Sequence, residues 1–490
     1  MIDLTIRAKG LENNIRKARE NNIIIPTIAQ MRDPDKIPAA IAEKLKEVGL
    51  WEVNPLNLFR ITWKNEPKEQ GGQFRKVPNY IELPPALTGV PCRIFAMVGK
   101  WFPTGCHKVG ASFGCLAPRL LTGQYDTEYH KAAWPSTGNY CRGGAFNSKL
   151  LACHSIAILP EGMSKERFEW LQTIAGEVIA TPGSESNVKE IFDKSWELKQ
   201  RADVMVFNQF EEMGNVLWHY NVTGAAMADV YEDLKQAGSR FAGACFTSGS
   251  AGTLSAGDYL KEVYPELKLA VGEALQCPTI LSNGFGSHRI EGIGDKHIPW
   301  IHNVKNTDMV IDIDDEDSQR LLRLFNTEPG KRYLKEALKL EEEQVEDLSL
   351  MGISGIANLL CCIKMAKYYE LTDKDVLGTV LTDSADMYRS RIEELDGLHG
   401  DYGVQEAELD YRLHLLGLRT DSMAELTYED RKRIHNLKYY TWVEQQGRDV
   451  EELNALWYDP EHTWKAVHAQ AAELDALAEA FNDATGLLKQ

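Results

Sequence analysis

The sequence predicts an α/β protein in which two layers of parallel strands and helices flank a cleft. Three observations carry that expectation. Between residues 155 and 207, short β-branched and apolar runs alternate with amphipathic stretches: SIAIL (155–159), SKERFEWLQTIAG (164–176), EVIATPG (177–183), a helical stretch from Val188 to Arg201, and VMVF (204–207). Strand, helix, strand at this spacing is the pattern of a parallel sheet with helices on its faces. The pattern returns in RFAGACFTSGSAGT (240–253), LSAGDYLKEVY and LKLAVGEAL (267–275). Finally, 490 residues with 43% apolar and 26% charged side chains are enough for two or three globular domains of roughly 100–200 residues each.

Taken in order, residues 1–50 form an N-terminal arm with two charged helical stretches, Gly10 to Asn21 and Pro38 to Val48, around the apolar run IIIPTIAQM. A smaller α/β domain is expected over residues 95–225, and a larger one combines 51–94 with 226–400. Residues 401–490 are rich in Glu, Leu, Tyr and Trp at helical spacing and are expected to form a helical C-terminal extension. No repeat of fixed period interrupts this order.

The net charge of −18 and a pI near 5.2 disfavour nucleic acid and anionic membranes as partners. No apolar run reaches the ~20 residues of a bilayer-spanning helix, and the first residues lack the apolar centre of a signal peptide, so a soluble, cytoplasmic protein is expected. The nine cysteines include the adjacent Cys361 and Cys362 and form no paired CxxC sets, so neither a metal site nor thiol chemistry is expected.

Three segments could carry chemistry. Thr247-Ser248-Gly249-Ser250-Ala251-Gly252-Thr253 follows a buried strand and opens a helix, where small residues let backbone N–H groups approach an anion. It fits neither GxxxxGK[ST] nor GxGxxG, and a plain tight turn would use the same residues. PTGCHKVGASF (103–113) places Lys108 at the opening of a helix among small and apolar residues. A buried lysine there must lower its pKa, pair, or be covalently bound, whereas a lone lysine is most often a solvated one. Ser136-Thr137-Gly138-Asn139-Tyr140 clusters hydroxyls, an amide and backbone donors before a helix, which suits a carboxylate or an ordinary helix cap.

The order and spacing of these segments resemble the fold-type II pyridoxal-phosphate enzymes, the superfamily of cysteine synthase and the tryptophan synthase β-chain. PTGCHK resembles P-[ST]-G-S-x-K, and STGNY resembles [ST]-S-G-N-[TY]. LPEGMSKERFEWLQTIAGEVIATPG, NQFEEMGNVLWHYNVTG, GSAGT, HRIEGIGDKHIP and GISGIANLLCCIKMAK match further family segments in the same order, over roughly Pro55 to Arg391. The resemblance implies pyridoxal 5′-phosphate as cofactor. Lys108 would be its covalent anchor and the catalytic base, and Asn139 its 3′-oxygen contact. Gly249, Ser250, Ala251, Gly252 and Thr253 would form its phosphate cradle, with Ser354 the partner of its pyridine nitrogen. Ser136, Thr137, Gly138, Tyr140 and Gln209 would hold the amino-acid substrate.

It further implies β-replacement on serine or an activated serine through an aminoacrylate, in a homodimer. A neutral serine at the pyridine nitrogen favours expulsion of a β-substituent over transamination. The alternatives are a β-eliminating ammonia-lyase or dehydratase, and, from another class, a non-catalytic regulatory subunit that binds cofactor or amino acid. A nicotinamide-dependent oxidoreductase is disfavoured by the glycine spacing. Two departures from the family pattern stand out: Ala251 replaces a cradle glycine, which ordinary backbone angles would tolerate, and His107 precedes the lysine, where it could touch the cofactor or merely pack beneath the lysine.

Overall fold

The computed structural model describes residues 1–136, 138–183, 188–294 and 296–489. Among these, eleven strands form two sheets. The smaller has the order β5-β4-β3-β6, with β3 Lys131–Pro135, β4 His154–Pro160, β5 Glu177–Thr181 and β6 Val204–Val206, all parallel. Strand β4 is buried from its second residue onward, as expected where helices cover both faces.

The larger sheet runs β1-β2-β10-β7-β8-β9-β11. Its parallel centre is β2 Arg93–Val98, β10 Asp375–Leu381, β7 Arg240–Thr247, β8 Lys268–Ala274 and β9 Met309–Ile313. Both edges are antiparallel: β1 Tyr80–Leu83 on β2, and β11 Met423–Glu425 on β9. Strand β2 straddles the boundary expected at residue 95 and lies in the larger sheet. We take the two sheets as nuclei of the two proposed domains. The C-terminal extension is helical apart from β11, which covers an edge that would otherwise expose unpaired N–H and C=O groups.

The extensions are bound to the core and to each other. Asn14 donates to the carbonyls of Leu120 (2.8 Å) and Tyr125 (2.6 Å), tying the arm helix Ala8–Glu20 to the end of the helix that begins at Lys108. Asn482, on the helix Ala471–Thr485, exchanges two hydrogen bonds with the backbone of Ile25 at 2.9 and 2.8 Å. Lys438 is fully buried and donates to the carbonyls of Trp300 (2.8 Å) and His302 (2.6 Å), while the Trp442 indole donates to that of Ile298 (2.8 Å). The loop after the GIGDKHIP segment is therefore clamped by the C-terminal extension. Among the described residues, no single helix is long and apolar enough to cross a membrane.

Candidate functional site

Four helices begin at the cleft: Lys108–Leu121, Asn139–Leu150, Leu254–Val263 and Ile353–Tyr368. Each brings the partial positive charge of its N-terminus and N–H groups without intrahelical partners. A strand-to-helix turn in an α/β sheet produces this geometry, because ligands bind beyond the carboxyl ends of the strands.

Lys108 is the first residue of its helix, and its ammonium donates to Gln209 Oε1 at 3.3 Å. A small cavity is lined by His107, Lys108, Asn215, His219, the run Gly249–Thr253, Gly292 and Thr382. Among the described residues, the backbone N–H groups of 249 through 253 have no protein acceptor. Five consecutive donors without partners, three of them on the buried residues Ser250, Ala251 and Gly252, are unusual, and their arrangement suits an anion with several oxygens. The cradle has little spare room. A Cβ on Gly252 would lie 2.2 Å from Asn215 Oδ1, and one on Gly249 would lie 2.9 Å from the Gly292 carbonyl oxygen. Asn215 also donates to Ser250 Oγ (3.2 Å) and to the Gln209 carbonyl (3.1 Å), linking the cradle to the lysine's acceptor.

Ala251 does not have the ordinary backbone angles its presence would suggest. Its φ is 67°, in the left-handed region, so the alanine stores strain that a glycine would not.

Beneath the lysine lies a pair of buried imidazoles. His107 packs 5.4 Å from the Trp63 ring and 5.2 Å from that of His219. Neither of its ring nitrogens has a partner among the described residues. Burial, then the charge of Lys108, lowers the His107 pKa to about 3. Burial likewise keeps His219 well below the usual range. His219 opens a π-helical turn, His219–Gly224, and shares a 2.9 Å hydrogen bond with Thr223. Both rings are therefore neutral near pH 7, leaving Lys108 as the cation among the residues lining the cavity.

The facing wall carries formal charge. Asn139 Nδ2 donates to Asp383 Oδ2 at 2.7 Å, and the Tyr388 hydroxyl donates to the same oxygen at 2.8 Å. Arg167 lies 3.6 Å from Asp383 Oδ2 and donates to Glu291 (2.6 Å) and to Tyr388 (2.9 Å). Arg391 donates to the other Glu291 oxygen at 2.6 Å. Burial pushes the Asp383 carboxyl up, against the opposing pull of Arg167. Gly138 has φ 149° and carries Arg167 against it: a Cβ there would fall 2.7 Å from Arg167 Cδ.

Of the residues singled out in the sequence, Lys108, Gln209 and 249–253 come together directly. Ser354 lies across from Gly292, where a Cβ would be 3.7 Å from its Oγ. Its hydroxyl is buried without a partner among the described residues, as is Asn139 Oδ1. Ser136 Oγ accepts from the Gly138 amide at 3.1 Å, and Thr137 lies outside the described residues. Tyr140 turns its ring away, against Trp134 and towards Cys115 and Glu212, two helical turns beyond Lys108. Sequence reading assigned no role to Asn215, His219, Arg167, Glu291, Asp383 or Tyr388. The first four lie inside the matched segments, where a polar residue in a buried run was the available signal.

The donor set fits a phosphorylated pyridine: a neutral run of amides for phosphate, a neutral hydroxyl and an amide for ring substituents, and a lysine for a carbonyl carbon. Comparisons with known proteins agree. No family model matches the chain. The cysteine synthase of Staphylococcus aureus (strain Mu50) is 29% identical over 257 residues, covering 52% of this chain and 74% of that protein. Cysteine synthase B of Campylobacter jejuni is 30% identical over 237 residues, covering 48% of this chain and 70% of that protein. Among solved structures, an O-acetylserine-dependent cystathionine β-synthase from Helicobacter pylori aligns with a TM-score of 0.54 at 23% identity, over 64% of this chain and 94% of that one. The fold and site define a fold-type II pyridoxal-phosphate-dependent enzyme. Within that class, the chain belongs to the cysteine synthase family.

Proposed function

We propose that this enzyme replaces the β-substituent of serine or an activated serine, with pyridoxal 5′-phosphate held at the cleft. The observation that carries the reading is the meeting of Lys108 with the acceptor-free amides of 249–253 in one cavity. When bound, the cofactor supplies an electron sink for the substrate's α-carbon.

The protein's own groups do the rest. Residues Gly249–Thr253 hold the phosphate through backbone N–H groups and a helix N-terminus, without a cation. Lys108 is the covalent anchor and, once released, the base that takes the α-proton; Gln209 orients its nitrogen. Ser354 offers a neutral hydroxyl to the pyridine nitrogen, which limits stabilisation of negative charge at Cα and favours loss of the β-substituent. Asn139, held by Asp383, presents its amide to the 3′-oxygen. Ser136 and Gly138 receive the substrate carboxylate at a helix N-terminus, and the family resemblance assigns Thr137 the same role. For Tyr140, the orientation of the ring leaves the backbone as the group that could contribute. The same reading includes a homodimer and a cytoplasmic location, supported by the family resemblance; light scattering on the purified protein checks the former.

The test is an absorbance titration of the cofactor-loaded protein with serine, O-acetylserine, O-phosphoserine, threonine and homoserine derivatives. We expect a visible band that shifts with one serine derivative, and a new amino acid once sulfide or another nucleophile is added. Keto acid released without a nucleophile would replace this reading with β-elimination. A protein that takes up no pyridoxal phosphate would overturn both.

A further inference from the structure

A second cavity, of about 370 Å³, lies behind the lysine segment. Gly105 and Ser384 line it, whereas His107, Lys108 and Thr382 line the cradle, so one thickness of chain separates the two spaces. Its wall includes Trp51, Glu52 and Glu69 from residues preceding β1, and Lys100, Asp386 and Met387 from the core. Lys100 is already paired with Asp386 at 2.7 Å.

Against this wall sits Arg142, one helical turn after Asn139 and only 1% exposed. The other fully buried arginines each donate to oxygen acceptors, although among the described residues Nε of Arg60 and of Arg167 is left without one. Arg60 donates to Asn65 and to the carbonyls of Leu45, Glu66 and Gly72, Arg167 to Glu291, and Arg323 to Asp396 and the Gly400 carbonyl. Arg142 does not. Among the described residues it has no ion pair, its Nε has no acceptor, and its Nη1 donates to the Met387 sulfur at 3.4 Å. A thioether is a weak acceptor. The guanidinium is instead flanked by the rings of Trp170, at 4.8 Å, and Trp51, at 5.5 Å.

Burying a guanidinium without an anion is costly, and stacking on aromatic faces offsets only part of that cost. Two of the groups that cover it, Trp51 and Met387, are also walls of the cavity. Methionine is the side chain best able to move aside, and its displacement would open the planar fork to the cavity. A guanidinium presented in this way matches a carboxylate in a bidentate pair. The acidic Glu52 and Glu69 disfavour a doubly charged phosphate but suit an ammonium carried by the same ligand.

We propose that Arg142 and this cavity form a binding site for a small carboxylate, above all one that also bears an ammonium group. The proposal rests on the reading above only for the origin of the ligand: the second substrate of the replacement reaction, or a separate effector.

Calorimetry on the full-length, cofactor-loaded protein tests it, with succinate and glycine betaine as probes, because neither can condense with the cofactor. One probe should bind saturably at one site per chain and change tryptophan fluorescence, while leaving the visible band unchanged. Arg142→Met should weaken that binding by at least about tenfold, and its Tm should hold or rise, since an unpaired buried charge is removed. A purely structural arginine would instead lower Tm and leave binding intact. Glu69→Trp, which fills the cavity's rim and leaves Arg142 in place, should weaken binding as well. The proposal fails if neither probe binds the wild-type protein, or if both variants bind as the wild type does. If a probe competes with the nucleophile, the site serves the second substrate; if it alters kcat alone, the ligand is an effector. Absence of the cofactor's visible band would defeat the functional reading, while calorimetry would still report on Arg142.

Discussion

The cradle at residues 249–253 offers backbone N–H groups and no formal charge, whereas the wall around Asn139 is a network of buried Arg167, Glu291 and Asp383 and half-buried Arg391, with Tyr388 between them. The difference teaches how each wall can fail. A backbone site fails when a side chain intrudes on it. A charged network fails when one member is removed and the others remain buried and unpaired. The network also spans the cleft, because Asn139 and Arg167 come from segments around the smaller sheet and Glu291 and Asp383 from the larger.

The largest expected effect is at the junction of the walls. Lys108→Ala should cut turnover by on the order of 10³-fold or more and abolish the visible band, with circular dichroism unchanged. Retained turnover would remove Lys108 from its role. Next, Arg167→Met should cost about 3–5 kcal/mol in urea unfolding, because it leaves the buried Asp383 without its cation and Glu291 with Arg391 alone. A cost below about 1 kcal/mol, the range of exposed pairs, would mean that the wall is not a buried network at all.

Gly252→Ala tests the opposite wall. Its Cβ would meet Asn215 Oδ1 at 2.2 Å, so we expect about 1–3 kcal/mol of destabilisation from overpacking together with weaker pyridoxal phosphate uptake in equilibrium dialysis. Uptake equal to that of the wild type would show that the cradle is looser than its contacts imply.

The neutral His107 gives a pH signature. Its pKa is about 3 when folded and roughly 6.5 when unfolded, so below 6.5 the unfolded chain binds the extra proton. Stability should therefore fall as pH drops from 6.5 towards 3, by up to ~1.4 kcal/mol per pH unit from this group. His107→Gln should flatten the slope of unfolding midpoints between pH 7 and 5. The other buried histidines act in the same direction, so some slope should remain. The smallest effect is at Ala251, where glycine would relieve about 1 kcal/mol of left-handed strain but lose part of that gain to chain entropy. A rise in Tm of a degree or two, with cofactor affinity unchanged, is the expected result.

The cradle was legible in the sequence because close backbone approach demands small residues in a contiguous run, and a run is what a sequence displays. Lys108 was legible for a related reason, standing at a helix start within a short motif. The charged wall was not. Asn139, Arg167, Glu291, Asp383 and Tyr388 are brought together from positions up to 249 residues apart, and none of them has a local pattern that announces its partner. Tyr140 shows the limit of carrying a motif across: the spacing is kept, yet the ring packs against Trp134 and towards Cys115. At Ala251 an alanine would be tolerated with ordinary backbone angles, and the structure holds it in a left-handed conformation instead.

The sequence by itself determined the alternation of strands and helices, the arm and the helical extension, and the segments proposed to bind phosphate and anchor the cofactor. Each of these depends on residues adjacent along the chain, through periodicity, capping or backbone freedom. Only the tertiary structure decided which side chains face each other across the cleft, that the extension lends a strand to the larger sheet, and that Arg142 is buried between two tryptophans without an anion. Those outcomes depend on desolvation and on distances between remote segments, and a linear sequence does not record either quantity.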